Sequence, residues 1–130
     1  MDNQNDRTAT ARINLPELLA RVDNDRELLS ELVLIFKDDF PRHFRALQEA
    51  VSRNDAAQVA VVSHTLKGML ANLAATRAAA CAATLEQLAR AKDTTSFAKA
   101  LVAFEHETLD LVPEMEGCLT EAQHEDSHSR

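Results

Sequence analysis

Residues that interrupt regular structure are scarce in this chain, which has only two glycines and three prolines among 130 residues. Alanine, leucine and glutamate, which favour helix, are plentiful, and apolar residues recur at spacings of three and four. Few segments favour a strand. A chain of this length can bury a core without disulfides or metal. We therefore predict one domain with an all-α fold.

Polar residues indicate where the helices begin. Asn14 is expected to start a short first helix, and the polar break Asp23–Asp25 to cap a long second one. The pair Asn54–Asp55 should begin the third helix, and Thr76 should cap the fourth. A fifth helix follows the polar segment Lys92–Thr95.

Apolar stripes at helical spacing define the predicted core. They are Leu28, Leu32, Ile35, Phe36, Phe40, Phe44 and Leu47 in the second helix; Val59, Val62, Leu66, Met69, Leu70 and Leu73 in the third; Ala78, Cys81, Ala82, Leu85 and Leu88 in the fourth; and Phe97, Leu101, Phe104, Leu109 and Val112 in the fifth. Pro41 should kink the second helix, and the fifth should bend at Pro113 and continue towards Leu119.

Four long amphipathic helices with short connections most simply form an antiparallel four-helix bundle, with the first helix as an addition. We expect residues 13–120 to form this bundle, residues 1–12 to be a flexible segment and residues 121–130 to be a disordered tail. The net charge of −7 and the absence of a Lys and Arg cluster argue against nucleic-acid binding. No signal peptide or membrane span is evident, so a cytoplasmic location is expected.

His64 is predicted to face away from the core of the third helix. At about 100° per residue, Val62 and Leu66 lie about 160° from it around the axis. Small residues lie on its own side, within roughly 20 to 40°. These are Ala57, Ala60, Gly68, Ala71 and Ala75. Such a surface suits a histidine that another protein must approach, although a row of small residues equally suits a close contact between helices.

Two neighbours of His64 sharpen the prediction. Gly68 lies one turn further on, where a glycine costs about 1 kcal/mol relative to alanine, and steric clearance for a partner would explain it. Lys67 can swing its ammonium towards a phosphoryl group on the imidazole. Lone surface histidines are common and usually without function, so the interpretation depends on these neighbours.

The residues HTLKG at His64, within SHTLKGMLANLAA from Ser63 to Ala75, resemble the signature of histidine phosphotransfer (HPt) domains of multistep phosphorelays. The resemblance extends over roughly residues 15 to 115. It implies the same helical bundle, with His64 as phosphoacceptor, Lys67 stabilising the phosphoryl group and Gly68 allowing a receiver domain to dock. Partner-binding residues would be Ala57, Ala60, Val61, Ala71 and Ala75.

The chain departs from the family pattern at three positions near this motif. Met69 stands where serine is frequent, and Ala71 and Ala74 stand where glycines are common, so each adds bulk near the expected docking surface. In the turn before the second helix, Asn24 replaces a common glycine, and asparagine tolerates left-handed backbone angles.

The implied function is that of a phosphocarrier. A neutral imidazole has an unprotonated ring nitrogen that can attack an aspartyl phosphate. No glycine-rich phosphate loop is present, so we expect no ATP site, no kinase activity and no cofactor of its own. The receiver domains of a hybrid sensor kinase and of a response regulator would be its partners and supply Mg²⁺, and the carrier would be a monomer.

Two other classes of function could use the same residues. An adaptor of this fold would bind a signalling protein through the small-residue face of the third helix without carrying phosphate. A metal or haem protein would need inward-facing His or Glu residues at spacings of three on several helices, and the predicted core stripes contain none.

Overall fold

The computed structural model describes residues 13–117, and every regular element among them is helical. The helices are α1 (Leu15–Arg21), α2 (Arg26–Ser52), α3 (Ala56–Asn72), α4 (Thr76–Arg90) and α5 (Phe97–Leu109). A short 3₁₀ turn, Thr94–Ser96, precedes α5, and residues 111–117 are again helical. The all-α prediction is confirmed. The predicted flexible N-terminus and disordered tail lie outside the described residues.

Side-chain caps begin the first three helices as predicted. Asn14 accepts a hydrogen bond from the backbone N–H of Glu17, at 3.2 Å. Asp25 and Asp55 cap α2 and α3 in the same way, each accepting from the N–H three residues on. These bonds satisfy donors that a helix leaves without a partner in its first turn.

The cap predicted for α4 is wrong. Thr76 is already the first helical residue, Ala75 holds the cap position, and no side chain caps this end. The chain enters α4 directly from a tight turn in which the N–H of Ala75 bonds the carbonyl of Leu70 at 2.9 Å. Ala74 occupies the left-handed region in this turn, with φ 57°. Asn24 likewise has φ 59°, as its side chain led us to expect.

The first half of α2 buries a different face from the predicted one. Leu29 and Val33 are buried, whereas Leu28 and Ile35 are 39% and 56% exposed. This part of α2 carries apolar residues on several of its own faces, so their spacing alone does not show which face is buried. Contacts with the neighbouring helices decide it.

The second half of α2 follows the prediction and joins α5 through aromatic rings. Phe36 stacks on Phe40 with ring centroids 4.9 Å apart, and Phe40 stacks on Phe44 at 5.8 Å. Phe44 in turn lies 6.0 Å from Phe104 of α5. The helix continues through Pro41, an exposed position within its length.

The fifth helix ends earlier than predicted. It stops at Leu109, and after Asp110 the chain resumes a helix at residue 111, before Pro113. Leu109 is 71% exposed because α5 buries the face that carries Phe97, Phe104 and Thr108. After the break, Leu111 and Met115 are buried. The predicted core position of Leu109 is therefore wrong, and the helix is interrupted at Asp110, three residues before the predicted bend at Pro113.

Contacts between helices place α3 beside α4. Helix α3 packs against α2 on one side and α4 on the other, while α5 packs against α4 and also contacts α2. Helix α1 adjoins the α3–α4 turn, where the N–H of Asn14 bonds the carbonyl of Ala74 at 3.0 Å. None of the helices over residues 13–117 is long and apolar enough to cross a membrane.

Candidate functional site

His64 lies on α3 with its side chain 64% exposed, as predicted. The opposite face of the helix carries the core residues Val59, Val62, Leu66 and Leu70, all buried. Since these four residues follow helical spacing, they hold the helix in one orientation and keep the imidazole at the surface.

The small residues near His64 are open to solvent along most of α3. Ala57, Gly68 and Ala71 are exposed, Ala60 is half-buried, and Val61 is 60% exposed. The prediction for Ala75 is wrong, because this residue is fully buried. Helix α3 ends at Asn72, and the turn that follows carries Ala75 into the core, so counting helical angles past the end of the helix does not apply.

Gly68 has open space where a side chain would begin. A Cβ placed on it would meet no atom within 4 Å, apart from the local helix backbone. The isolated chain therefore has no packing requirement for glycine here. That the glycine gives a partner steric clearance stays a prediction.

Two of the departures from the family pattern do not lie on the open surface. Ala74 is buried in the α3–α4 turn, so it adds no bulk to a docking surface, contrary to the prediction. Its positive φ explains why glycine suits this position, since glycine adopts that region without a steric cost. Met69 is half-buried and packs against the core.

Glu86 of α4 is the member of the site that sequence reasoning missed. Its side chain is only 6% exposed, and Oε2 lies 3.1 Å from Nδ1 of His64. The ammonium of Lys67 lies 2.9 Å from Oε1 of the same carboxylate. Arg90, one turn further along α4, donates to Oε2 from Nη2 at 2.7 Å and from Nε at 3.2 Å. One carboxylate thus joins His64, Lys67 and Arg90.

These contacts keep Glu86 ionised. Hydrogen bonds from Lys67 and Arg90, with a smaller contribution from His64, lower the pKa of Glu86 from 4.5 to about 2, although burial acts in the opposite direction. At neutral pH the carboxylate is therefore an acceptor only. Nδ1 of His64 must then carry the hydrogen in their contact, which leaves Nε2 of a neutral ring with its lone pair.

A signal for Glu86 was present in the sequence. Glu86 follows Ala82 by four residues and precedes Ala89 by three, so it lies within the buried stripe of α4. A carboxylate is seldom buried without a partner of opposite charge, and Arg90 at the i+4 position was a candidate for one. The proximity of Glu86 to His64 is visible only once α3 and α4 are packed together.

Comparison with known proteins identifies the family. A family model described as the Hpt domain matches residues 31–125, which span most of the chain and include His64, Lys67, Gly68 and Glu86. The chain therefore belongs to the Hpt domain family, which confirms the resemblance noted in the sequence. Membership implies histidine phosphotransfer in a phosphorelay. Neither the curated proteins nor the solved structures contain a match.

Proposed function

We propose that this chain carries a phosphoryl group on Nε2 of His64. The group would come from a receiver-domain aspartate of a hybrid sensor kinase and pass to the aspartate of a response regulator. The observation that supports this most strongly is the contact between the exposed imidazole of His64 and the buried carboxylate of Glu86, at 3.1 Å. That contact selects the ring nitrogen that reacts and fixes the orientation of the ring.

The proposed step moves no proton. The lone pair of Nε2 attacks phosphorus, an N–P bond forms, the O–P bond of the aspartyl phosphate breaks, and the aspartate leaves as a carboxylate. The hydrogen stays on Nδ1, so the ring of His64 gains positive charge facing Glu86. In the second transfer, a carboxylate oxygen of the response-regulator aspartate attacks phosphorus, and the N–P bond to Nε2 of His64 breaks.

Further groups on α3 have roles in this proposal. Lys67 is 37% exposed and can turn its ammonium towards the phosphoryl oxygens. Gly68 leaves room for the receiver domain, and Ala57, Ala60, Val61 and Ala71 offer it a surface with few bulky side chains. Mg²⁺ and the acceptor aspartate would come from the receiver domain.

We also propose the finer arrangement of the fold and the protein's setting. Helices α2 to α5 would form an antiparallel four-helix bundle, which the short turns and the contact of α5 with both α4 and α2 support. The chain would act as a monomeric phosphocarrier in the cytoplasm, without an ATP site of its own.

Phosphotransfer from ³²P-labelled receiver domains tests the proposal. We expect label on the wild-type chain that is lost in acid and stable in alkali, the behaviour of phosphohistidine. His64→Gln should carry none, whereas the control His106→Gln, on an exposed position of α5, should be labelled like wild type. Binding to receiver domains without any label would contradict the proposal and favour the adaptor.

A further inference from the structure

Two cations share the single carboxylate of Glu86 beside His64. Lys67 reaches it from α3 at 2.9 Å, and Arg90 reaches it from α4 at 2.7 Å. Lys67 is three residues from His64 on the same helix, which makes it the cation best placed to meet a phosphoryl group there. The carboxylate therefore already holds the ammonium that this group would need.

We propose that Glu86 competes with the phosphoryl group for Lys67 and so weakens the hold of this chain on its phosphate. This inference rests on the proposed function. Phosphorylation of His64 would draw Lys67 away from Glu86. The Lys67–Glu86 ion pair is then lost as the ion pair between Lys67 and the phosphoryl group forms. Glu86 is then a positioning residue that makes the phosphoryl group easier to pass on.

The arrangement explains how Glu86 tolerates the loss of Lys67. A carboxylate that is 6% exposed is costly to leave without a cation. Arg90 is held one turn away on the same helix and contacts Oε2, whereas Lys67 contacts Oε1. Arg90 and the Nδ1–H of His64 can therefore remain on Oε2 while Lys67 leaves Oε1.

The proposal predicts the effect of Glu86→Gln. Glu86→Gln has two opposing effects. The amide oxygen can still accept from Nδ1 of His64, but the negative charge that faces the positive phosphorylated ring is lost, which lowers the ratio of phosphorylated to unphosphorylated protein. The charge that retains Lys67 is also lost, which raises this ratio, and in our proposal the release of Lys67 is the larger effect. We expect the ratio of phosphorylated to unphosphorylated protein at equilibrium to rise about threefold. The change is this small because Lys67 is partly exposed, and ion pairs with exposed partners are weak. Glu105→Gln, at an exposed position of α5, removes the same charge and should leave the ratio unchanged.

Phosphoramidate serves as the donor, so that no partner protein is needed. Its P–N bond breaks as the bond to Nε2 of His64 forms, and ammonia leaves. At fixed phosphoramidate and ammonium concentrations, ³¹P NMR gives the ratio for each variant. Circular dichroism shows whether each variant is folded.

Lys67→Gln supplies the second test. Alone it should lower the ratio, because the phosphoryl group loses its cation. In the Lys67→Gln background, Glu86→Gln should produce little of the threefold rise in the ratio, because no ammonium remains for Glu86 and the phosphoryl group to compete for. An equal ratio for wild type and Glu86→Gln, or a gain that persists without Lys67, would overturn the inference and leave the carrier function standing. Absence of phosphohistidine on the wild-type chain would overturn both.

Discussion

Gly68 lies one turn after His64 on the exposed side of α3, where helical glycine is unfavourable. Its missing side chain leaves open space, so the fold itself does not require glycine at this position. Stability and docking should therefore respond in opposite directions when a methyl group is added.

We expect Gly68→Ala to raise the free energy of unfolding by about 0.5–1 kcal/mol, because alanine loses less backbone entropy in a helix. Transfer from a receiver domain should become slower. Gly117→Ala is the matched control, since Gly117 is also helical with open space at its Cβ position. Urea denaturation and transfer kinetics measure the two effects. Unchanged transfer in Gly68→Ala would contradict a role for clearance.

The ionised carboxylate of Glu86 makes the free energy of unfolding depend on pH in the acidic range. Lys67 and Arg90 lower the pKa of Glu86 in the folded chain from 4.5 to about 2. The carboxylate therefore contributes stability above about pH 4.5, and the contribution is lost as pH falls towards 2, because the unfolded chain binds the proton first.

We expect Glu86→Gln to lower the unfolding free energy at pH 7 and to lose less stability than wild type between pH 4.5 and 2. Urea titrations at a series of pH values measure both. Parallel stability curves for the two proteins across this range would show that Glu86 has no such linkage.

Helices α3 and α4 begin in different ways, each after its own short turn. Asp55 caps α3 with a bond of 3.1 Å to the N–H of Gln58, whereas α4 has no side-chain cap. The stability of each helix start should therefore respond differently to loss of its polar side chain.

We expect Asp55→Ala to cost about 1 kcal/mol of unfolding free energy, which is typical of a lost cap. Thr76→Ala should cost much less, because the exposed Thr76 is already helical and alanine has the higher helix propensity. Thermal unfolding followed by circular dichroism compares them. An equal loss in both would mean that Thr76 does cap α4.

At the scale of the whole molecule, the last described segment closes the core and connects distant parts of the chain. Leu111 and Met115 are buried from it. Glu114 accepts from the N–H of Ile13 at 2.8 Å, and Glu116 pairs with Lys37 at 2.7 Å. Residues 111–117 are thus part of the folded unit.

We expect Leu111→Ala to destabilise the protein by about 2–5 kcal/mol, the usual range for a leucine removed from a core. Leu109→Ala, two residues earlier, should change stability by about 0.5 kcal/mol or less, because Leu109 is exposed. Urea denaturation of the two variants separates them. Similar losses of unfolding free energy in the two variants would mean that Leu109 is also part of the core.

Much of the fold followed from local spacing. The helix starts at Asn14, Asp25 and Asp55 and the outward position of His64 could be predicted because a helix is built from contacts within about four residues. The roles of His64, Lys67 and Gly68 came from the motif in the sequence and remain predictions.

Packing decided the rest. Leu29 is buried where Leu28 was predicted, and Leu111 is buried where Leu109 was predicted. Several faces of these helices are apolar, so the neighbouring helices decide which face is buried. The contact of Glu86 with His64 joins residues 22 positions apart on two helices. The sequence by itself determined the helices and which side of α3 carries the histidine. Only the tertiary structure brought a carboxylate to that histidine, because no local spacing relates one helix face to another.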